Sequence, residues 1–208
     1  GIHPIDDGVV VFEGSTVNIH GPKDAAALGI EVVYQDLALA DNLDVVQNMY
    51  LGREELTPFR ALDETKMEQR CSETLKGLSV TTIRSVRQTV AGLSGGQRQS
   101  IAVAKAVMWN SRLVILDEPT AALGVAQTRQ VLDLVRRLAD QGLAVMLVSH
   151  NLHDIFEVAD RITVLRLGQD VARFNTKETT QREVVEAITA GKLSTVPGQE
   201  DAEAQVRL

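Results

Sequence analysis

Cysteine is almost missing from this chain: Cys71 is the only one in 208 residues. A lone cysteine excludes an internal disulfide, which fits a reducing compartment. Met67, Cys71 and Leu75 fall at helical spacing, so the thiol is expected to pack in a core rather than react. Long apolar runs are missing too. None approaches the ~20 residues that span a bilayer, and no signal-peptide pattern opens the chain. Any membrane role is therefore expected to come through a partner. Positive charge is short as well: 21 Lys+Arg against 28 Asp+Glu leaves −7. That balance repels nucleic acid and anionic lipid and argues against a general DNA binder. No internal repeat is present. The rest of the composition, 44% hydrophobic and 24% charged, is that of an average globular protein. The length allows one domain with a sizeable core and room for an inserted subdomain.

Residues 93–120, LSGGQRQSIAVAKAVMWNSRLVILDEPT, carry most of the chemistry. Ser94 is a suitable N-cap for a helix, and Gly95 and Gly96 leave bare backbone N–H groups at its start. A helix N-terminus of this kind is a seat for an anion such as phosphate. Ile101, Ala104, Val107 and Met108 recur at helical spacing and predict one buried face. Leu113 to Leu116 is a continuous apolar run, as expected of a parallel strand covered on both faces. It delivers Asp117 and Glu118 to the carboxyl end of a sheet, where open α/β folds place ligands. Two adjacent acids there suit a Mg²⁺-bound nucleotide, one for the metal shell and one to orient an attacking water.

LSGGQ, followed by an apolar strand ending in Asp117-Glu118-Pro119-Thr120, resembles the nucleotide-binding subunit of an ABC transporter. Either piece alone is an ordinary capped helix or an ordinary core strand; the two in this order point to the family. The resemblance implies an α/β fold: a P-loop NTPase-type ABC ATPase core with an inserted helical subdomain. It assigns the core to residues 1–36 and 112–190 and the helical signature subdomain to 37–111. From 191 to 208 the periodicity fades, so a disordered tail is expected there.

The same resemblance implies ATP and Mg²⁺ as cofactors. Two subunits would pack head to tail, as a homodimer, around the nucleotide. Ser94, Gly95, Gly96 and Gln97 would then meet the ATP held by the partner. Asp117 and Gln35 would hold the metal shell, Glu118 would polarise the water, and His150 would brace the γ-phosphate. Gln35, after the strand Ile30 to Tyr34, would also touch ATP and report its presence to a membrane permease. Read by itself, Gln35 is a surface residue at a strand exit; the downstream motifs favour the functional role. His150 lies 32 residues after Glu118 (150 − 118), at the end of the apolar run Leu143 to Val148, where the family's switch histidine stands. His3, His20 and His153 have no such context. The Tyr34–Leu39 and Glu118–Val125 runs look most like bacterial monosaccharide importers of the ribose, xylose and fructose type. A permease, indirectly a periplasmic or extracellular sugar-binding protein, and no nucleic acid are the partners this implies. The expected place is the cytoplasmic face of the cell membrane, as a peripheral subunit.

Elsewhere the chain predicts short strands at Val9 to Phe12 and Val17 to Ile19, and a brief helix from Pro22 closed by Gly29. Val45 to Leu51 and Asp63 to Leu75 read as helices; the resemblance makes Asp41 to Tyr50 the candidate groove for a permease helix, a solvated helix face being the alternative. An apolar stripe of Val131, Leu132, Val135 and Leu138 predicts a helix that Gly142 ends. Arg161 to Leu165 and Gln169 to Phe174 read as a hairpin around Gly168, and Thr180 to Glu183 as a capping box for a helix through Ile188.

Two departures stand out. Gly124 occupies the position where the family usually has an aspartate used across the dimer. A phosphate-binding loop, G-x-x-x-x-G-K-[ST], does not occur in these 208 residues. The expectation is a family member lacking its amino-terminal segment, inactive by itself, with apolar strand faces laid open and a marginal fold. A rival reading makes the chain a non-catalytic regulatory partner that lends its signature loop to another subunit. A DNA-repair ATPase would need heptad arms or zinc-binding cysteines, and neither is present.

Overall fold

The computed structural model describes residues 1–191. The tail expected over 191–208 lies outside the described residues from 192 onward. Along the chain run β1 (Val10–Phe12), β2 (Ser15–Val17), α1 (Pro22–Ala27), β3 (Ile30–Val33), α2 (Val45–Tyr50), α3 (Glu64–Gly77) and α4 (Gly95–Val107). They are followed by β4 (Leu113–Asp117), α5 (Val125–Asp140), β5 (Ala144–Val148), α6 (Leu152–Val158), β6 (Arg161–Arg166), β7 (Gln169–Asn175) and α7 (Gln181–Ala190). Two units divide these elements: residues 1–27 with 151 onward, and Leu28–His150.

In the first unit, β1 and β2 pair antiparallel with Phe12 opposite Ser15. The two residues between them, Glu13 and Gly14, both have positive φ (51° and 78°), the pattern of a tight hairpin turn. That turn starts the second strand at Ser15, and pairing ends at Val10 with Val17. The strand expected over Val17 to Ile19 is therefore displaced toward the turn, because Ile19 has no partner opposite it. The second hairpin, β6–β7, turns at Leu167 and Gly168 (φ 50° and 77°), as Gly168 predicts. Ile162 and Val164 point inward and pack on Val184 and Ala187 of α7. Thr180 and Glu183 form the expected capping box, and Gly191, left-handed at φ 77°, closes α7.

The second unit holds a three-stranded parallel sheet in the order β3-β4-β5. Its register sets Val32, Ile115 and Met146 side by side. On one face Val33, Val114 and Leu116 are buried, with α4 on β3 and α5 on β5. The sequence reads β4 as covered on both faces, and here the structure differs: Leu113 and Ile115 are only half-buried. Val32, Tyr34, Met146 and Val148 share the opposite face by register and remain 36%, 49%, 45% and 47% exposed. An apolar run identifies a strand meant for cover without saying which side is covered.

Helix α4 is the centre of this unit. Ile101, Ala102, Val103, Ala104 and Ala106 are all buried, a wider face than the predicted stripe, because α2, α3, α5 and β3 surround it. Helix α2 buries Val45, Val46, Met49 and Tyr50, so only Asp41, Asn42 and Gln47 of the expected groove stretch are fully exposed. Met67, Cys71 and Leu75 line the buried side of α3 as predicted. The Cys71 thiol meets the Met49 sulfur at 3.2 Å, and burial pushes its pKa up to about 12, which makes it inert. Trp109 stacks edge-on to Tyr50 at 5.4 Å, and the guanidinium groups of Arg53 and Arg70 lie over its ring, 5.3 and 5.0 Å from the centroid. Arg53 in turn pairs with Glu31 of β3 at 2.9 Å, which links the helices to the sheet.

Candidate functional site

Parallel strands bring their carboxyl ends to one edge, and strand order decides which residues meet there. Asp117 ends β4 opposite Val148 of β5, and the Glu118 N–H donates to the Val148 carbonyl at 2.9 Å. That bond extends the β4–β5 ladder by one residue and turns Glu118 toward His150. Glu118 Oε1 accepts the His150 backbone N–H at 3.1 Å and meets His150 Nδ1 at 2.7 Å. The Glu118 side chain is 18% exposed, the imidazole 85%. Glu118 has φ 46°, a left-handed backbone that a non-glycine residue enters at a cost. The strain sits on the residue whose carboxylate faces the open edge.

Gln35 follows β3 by two residues, beside the end of β4, and is exposed. It lines a cavity of about 170 Å³ with Asp36, Leu37, Leu39 and Arg98. Gln35, Asp117, Glu118 and His150 thus stand along one edge of the sheet, at the ends of three neighbouring strands.

Ser94, Gly95, Gly96 and Gln97 form a second group at the start of α4. Ser94 caps the helix: its Oγ accepts the Gln97 N–H at 3.4 Å, while Gln97 Oε1 accepts the Ser94 N–H at 2.9 Å. Gln97 Nε2 donates to the Thr82 carbonyl at 2.7 Å, so both ends of this amide hold the loop in shape. The sequence treats the two glycines as a way to bare backbone amides. They also allow close packing. A Cβ on Gly95 would meet Leu123 Cδ2 at 3.0 Å, and one on Gly96 would meet Gln127 Cβ at 3.1 Å. Leu123 and Gln127 were not singled out from the sequence. The helical stripe of α5 omits Gln127, and only the crossing of α4 and α5 brings it to Gly96. Gly124 is the N-cap of α5 and supplies no side chain there; its N–H donates to Gln127 Oε1 at 3.3 Å.

Among the described residues no cluster of three or more His, Cys, Asp or Glu side chains is placed to hold a metal ion. Asp117 is a single half-buried carboxylate at the sheet edge. That donor set fits a Mg²⁺ ion, which takes one or two carboxylates and completes its shell with water and phosphate oxygens.

A capped glycine turn at α4 and an acid pair beside a histidine at parallel strand ends define a class: the nucleotide-binding cassettes. The chain belongs to the ABC transporter family, whose sequence profile matches residues 1–121. It is an ATP-binding, ATP-hydrolysing member by that membership. It is 44% identical over 193 residues to the fructose import ATP-binding protein FrcA of Rhizobium meliloti, covering 90% of this chain and 74% of that protein. Over 196 residues it is 42% identical to the xylose/arabinose import ATP-binding protein XylG of Sulfolobus acidocaldarius, 94% of this chain and 77% of the relative. The fold resembles the ADP conformation of an ATP-binding cassette of an ABC transporter, with a TM-score of 0.72 at 20% identity. That likeness covers 90% of this chain and 75% of the other, and it bears on the fold alone.

Proposed function

We propose that this chain is the ATPase subunit that powers sugar import through a partner permease. The relatives' names support the cargo class: both are sugar import ATP-binding proteins. Among the described residues no helix is long and apolar enough to cross a membrane. By its family, the subunit would reach its permease from the cytoplasmic face, with the sugar-binding protein acting on the far side. Residues 37–111 would form the helical signature subdomain, and 1–36 with 112–190 the ATPase core.

The observation that carries this reading is the Glu118–His150 pair at the open edge of the sheet. Glu118 polarises the attacking water, and His150 steadies both that carboxylate and the γ-phosphate. A Mg²⁺ ion bound with the nucleotide supplies charge neutralisation on the terminal phosphates, with Asp117 and Gln35 the residues that would hold its shell. Ser94, Gly95, Gly96 and Gln97 meet the nucleotide of a second copy of the chain, so hydrolysis waits for two subunits to close. A regulatory partner without catalysis would have no need of a carboxylate gripped twice by one histidine.

In the full-length chain, Glu118→Gln is expected to keep ATP binding while turnover falls by about 10²-fold or more, the scale of general-base loss. Unchanged turnover would remove Glu118 from the reaction.

A further inference from the structure

Gln35 and the signature loop lie in different parts of the second unit, and the short turn that follows the Gln35 loop along the chain is bonded to the residues leading into α4. Asn48, fully buried, fixes that turn. Its Oδ1 accepts the Ala40 N–H at 2.7 Å, and its Nδ2 sits within 3.3 Å of the Ala40, Leu43 and Asp44 carbonyls. With its whole amide spent on backbone, Asn48 makes residues 40–44 a single rigid piece.

The residues that lead into α4 are strapped to this piece. The Ala91 N–H donates to the Asp41 carbonyl and the Val90 N–H to the Leu43 carbonyl, both at 3.0 Å. Asp44 and Thr89 add an antiparallel bridge. Arg98, in the first turn of α4, then reaches back: its guanidinium pairs with the Asp41 carboxylate. It also lines the cavity that contains Gln35. Its backbone N–H donates to Ser94 O at 2.9 Å, so Arg98 is joined to the helix cap itself.

We propose that Arg98 is a positioning residue: through Asp41 it ties the 39–44 turn to the cap of α4, so that a shift of the Gln35 loop is passed to Ser94 and Gly95. The pair is partly exposed, and such pairs add little to global stability. Its role is to keep two segments in register, which a charge pair between rigid pieces does well. The functional half of this inference rests on the reading that the Gln35 loop faces a permease.

Two measurements on the full-length chain test it. In amide hydrogen exchange, Arg98→Ala is expected to raise exchange at residues 39–44 as well as 93–98, whereas Arg98→Lys keeps both protected. A rise confined to 93–98 would overturn the link. With the chain assembled on its permease in vesicles, Asp41→Arg and Arg98→Asp are each expected to lower the ratio of permease-stimulated to basal ATP hydrolysis. The drop should be about fivefold, the low end of site-to-site coupling, and the double variant should restore the ratio. Additive losses in the double variant would overturn the role. If the unaltered chain shows no stimulation, the permease reading falls, while the exchange result still decides on Arg98.

Discussion

Gly96 lies so close to Gln127 that an added methyl group would stand 3.1 Å from Gln127 Cβ and 3.2 Å from its Cγ. Those atoms are near the α5 backbone and cannot swing aside, so the two helices would have to part. At Gly95 the same methyl meets only the tip of Leu123, a side chain free to turn.

The two alanine variants should therefore differ although they are neighbours. Gly96→Ala is expected to lose about 1 kcal/mol, overpacking outweighing the gain in helix propensity. Gly95→Ala should stay within about 0.5 kcal/mol of the parent. Denaturant melts compare them directly. A Gly96→Ala chain as stable as Gly95→Ala would show that α4 and α5 are not in firm contact at this point.

Gly124 offers the opposite opportunity. It caps α5 with ordinary extended backbone (φ −74°, ψ 162°), and nothing lies within 4 Å of an added Cβ. An aspartate fits that backbone, accepts an orphan N–H of the first turn and suits the positive end of the helix. Gly124→Asp should stabilise the chain by about 0.5 kcal/mol, read as a melting temperature raised by about 1–2 °C. A lowered melting temperature would mean that the cap geometry is not available to a side chain.

Acid should unfasten α7. Glu183 accepts the Thr180 N–H at 2.7 Å, and that bond, with help from the Thr179 and Thr180 hydroxyls, holds its carboxyl below the usual carboxylate range. A group depressed in the folded state contributes stability above its unfolded pKa of about 4.3, and loses it as pH falls through the folded value. The melting-temperature gap between the parent and Glu183→Ala should be steady above about pH 5.5 and narrow below about pH 4. A gap that widens in acid would contradict the capping role.

Much of this molecule was legible in its residues. LSGGQ and the strand ending in Asp117-Glu118 pointed to the family, and helical spacing named the buried side of α3. Ser94, Thr180 and the turn around Gly168 marked boundaries that the structure keeps, because caps and tight turns are local: they depend on residues three or four apart.

What local rules could not reach was everything that depends on elements meeting. No spacing tells that β3, β4 and β5 lie in that order, yet the order alone carries Gln35, Asp117, Glu118 and His150 to one edge. Nor does any run of residues reveal that Gly96 faces Gln127, that Arg98 pairs with Asp41, or that one side of the sheet stays open. Residues near in the chain set the helices, caps and tight turns and most strand positions, since backbone conformation answers to near neighbours. β2 moved because its partner strand, not its own residues, fixed where pairing stops. Tertiary structure decided the site, because hydrogen-bond and ion-pair partners are chosen by packing across long stretches of chain.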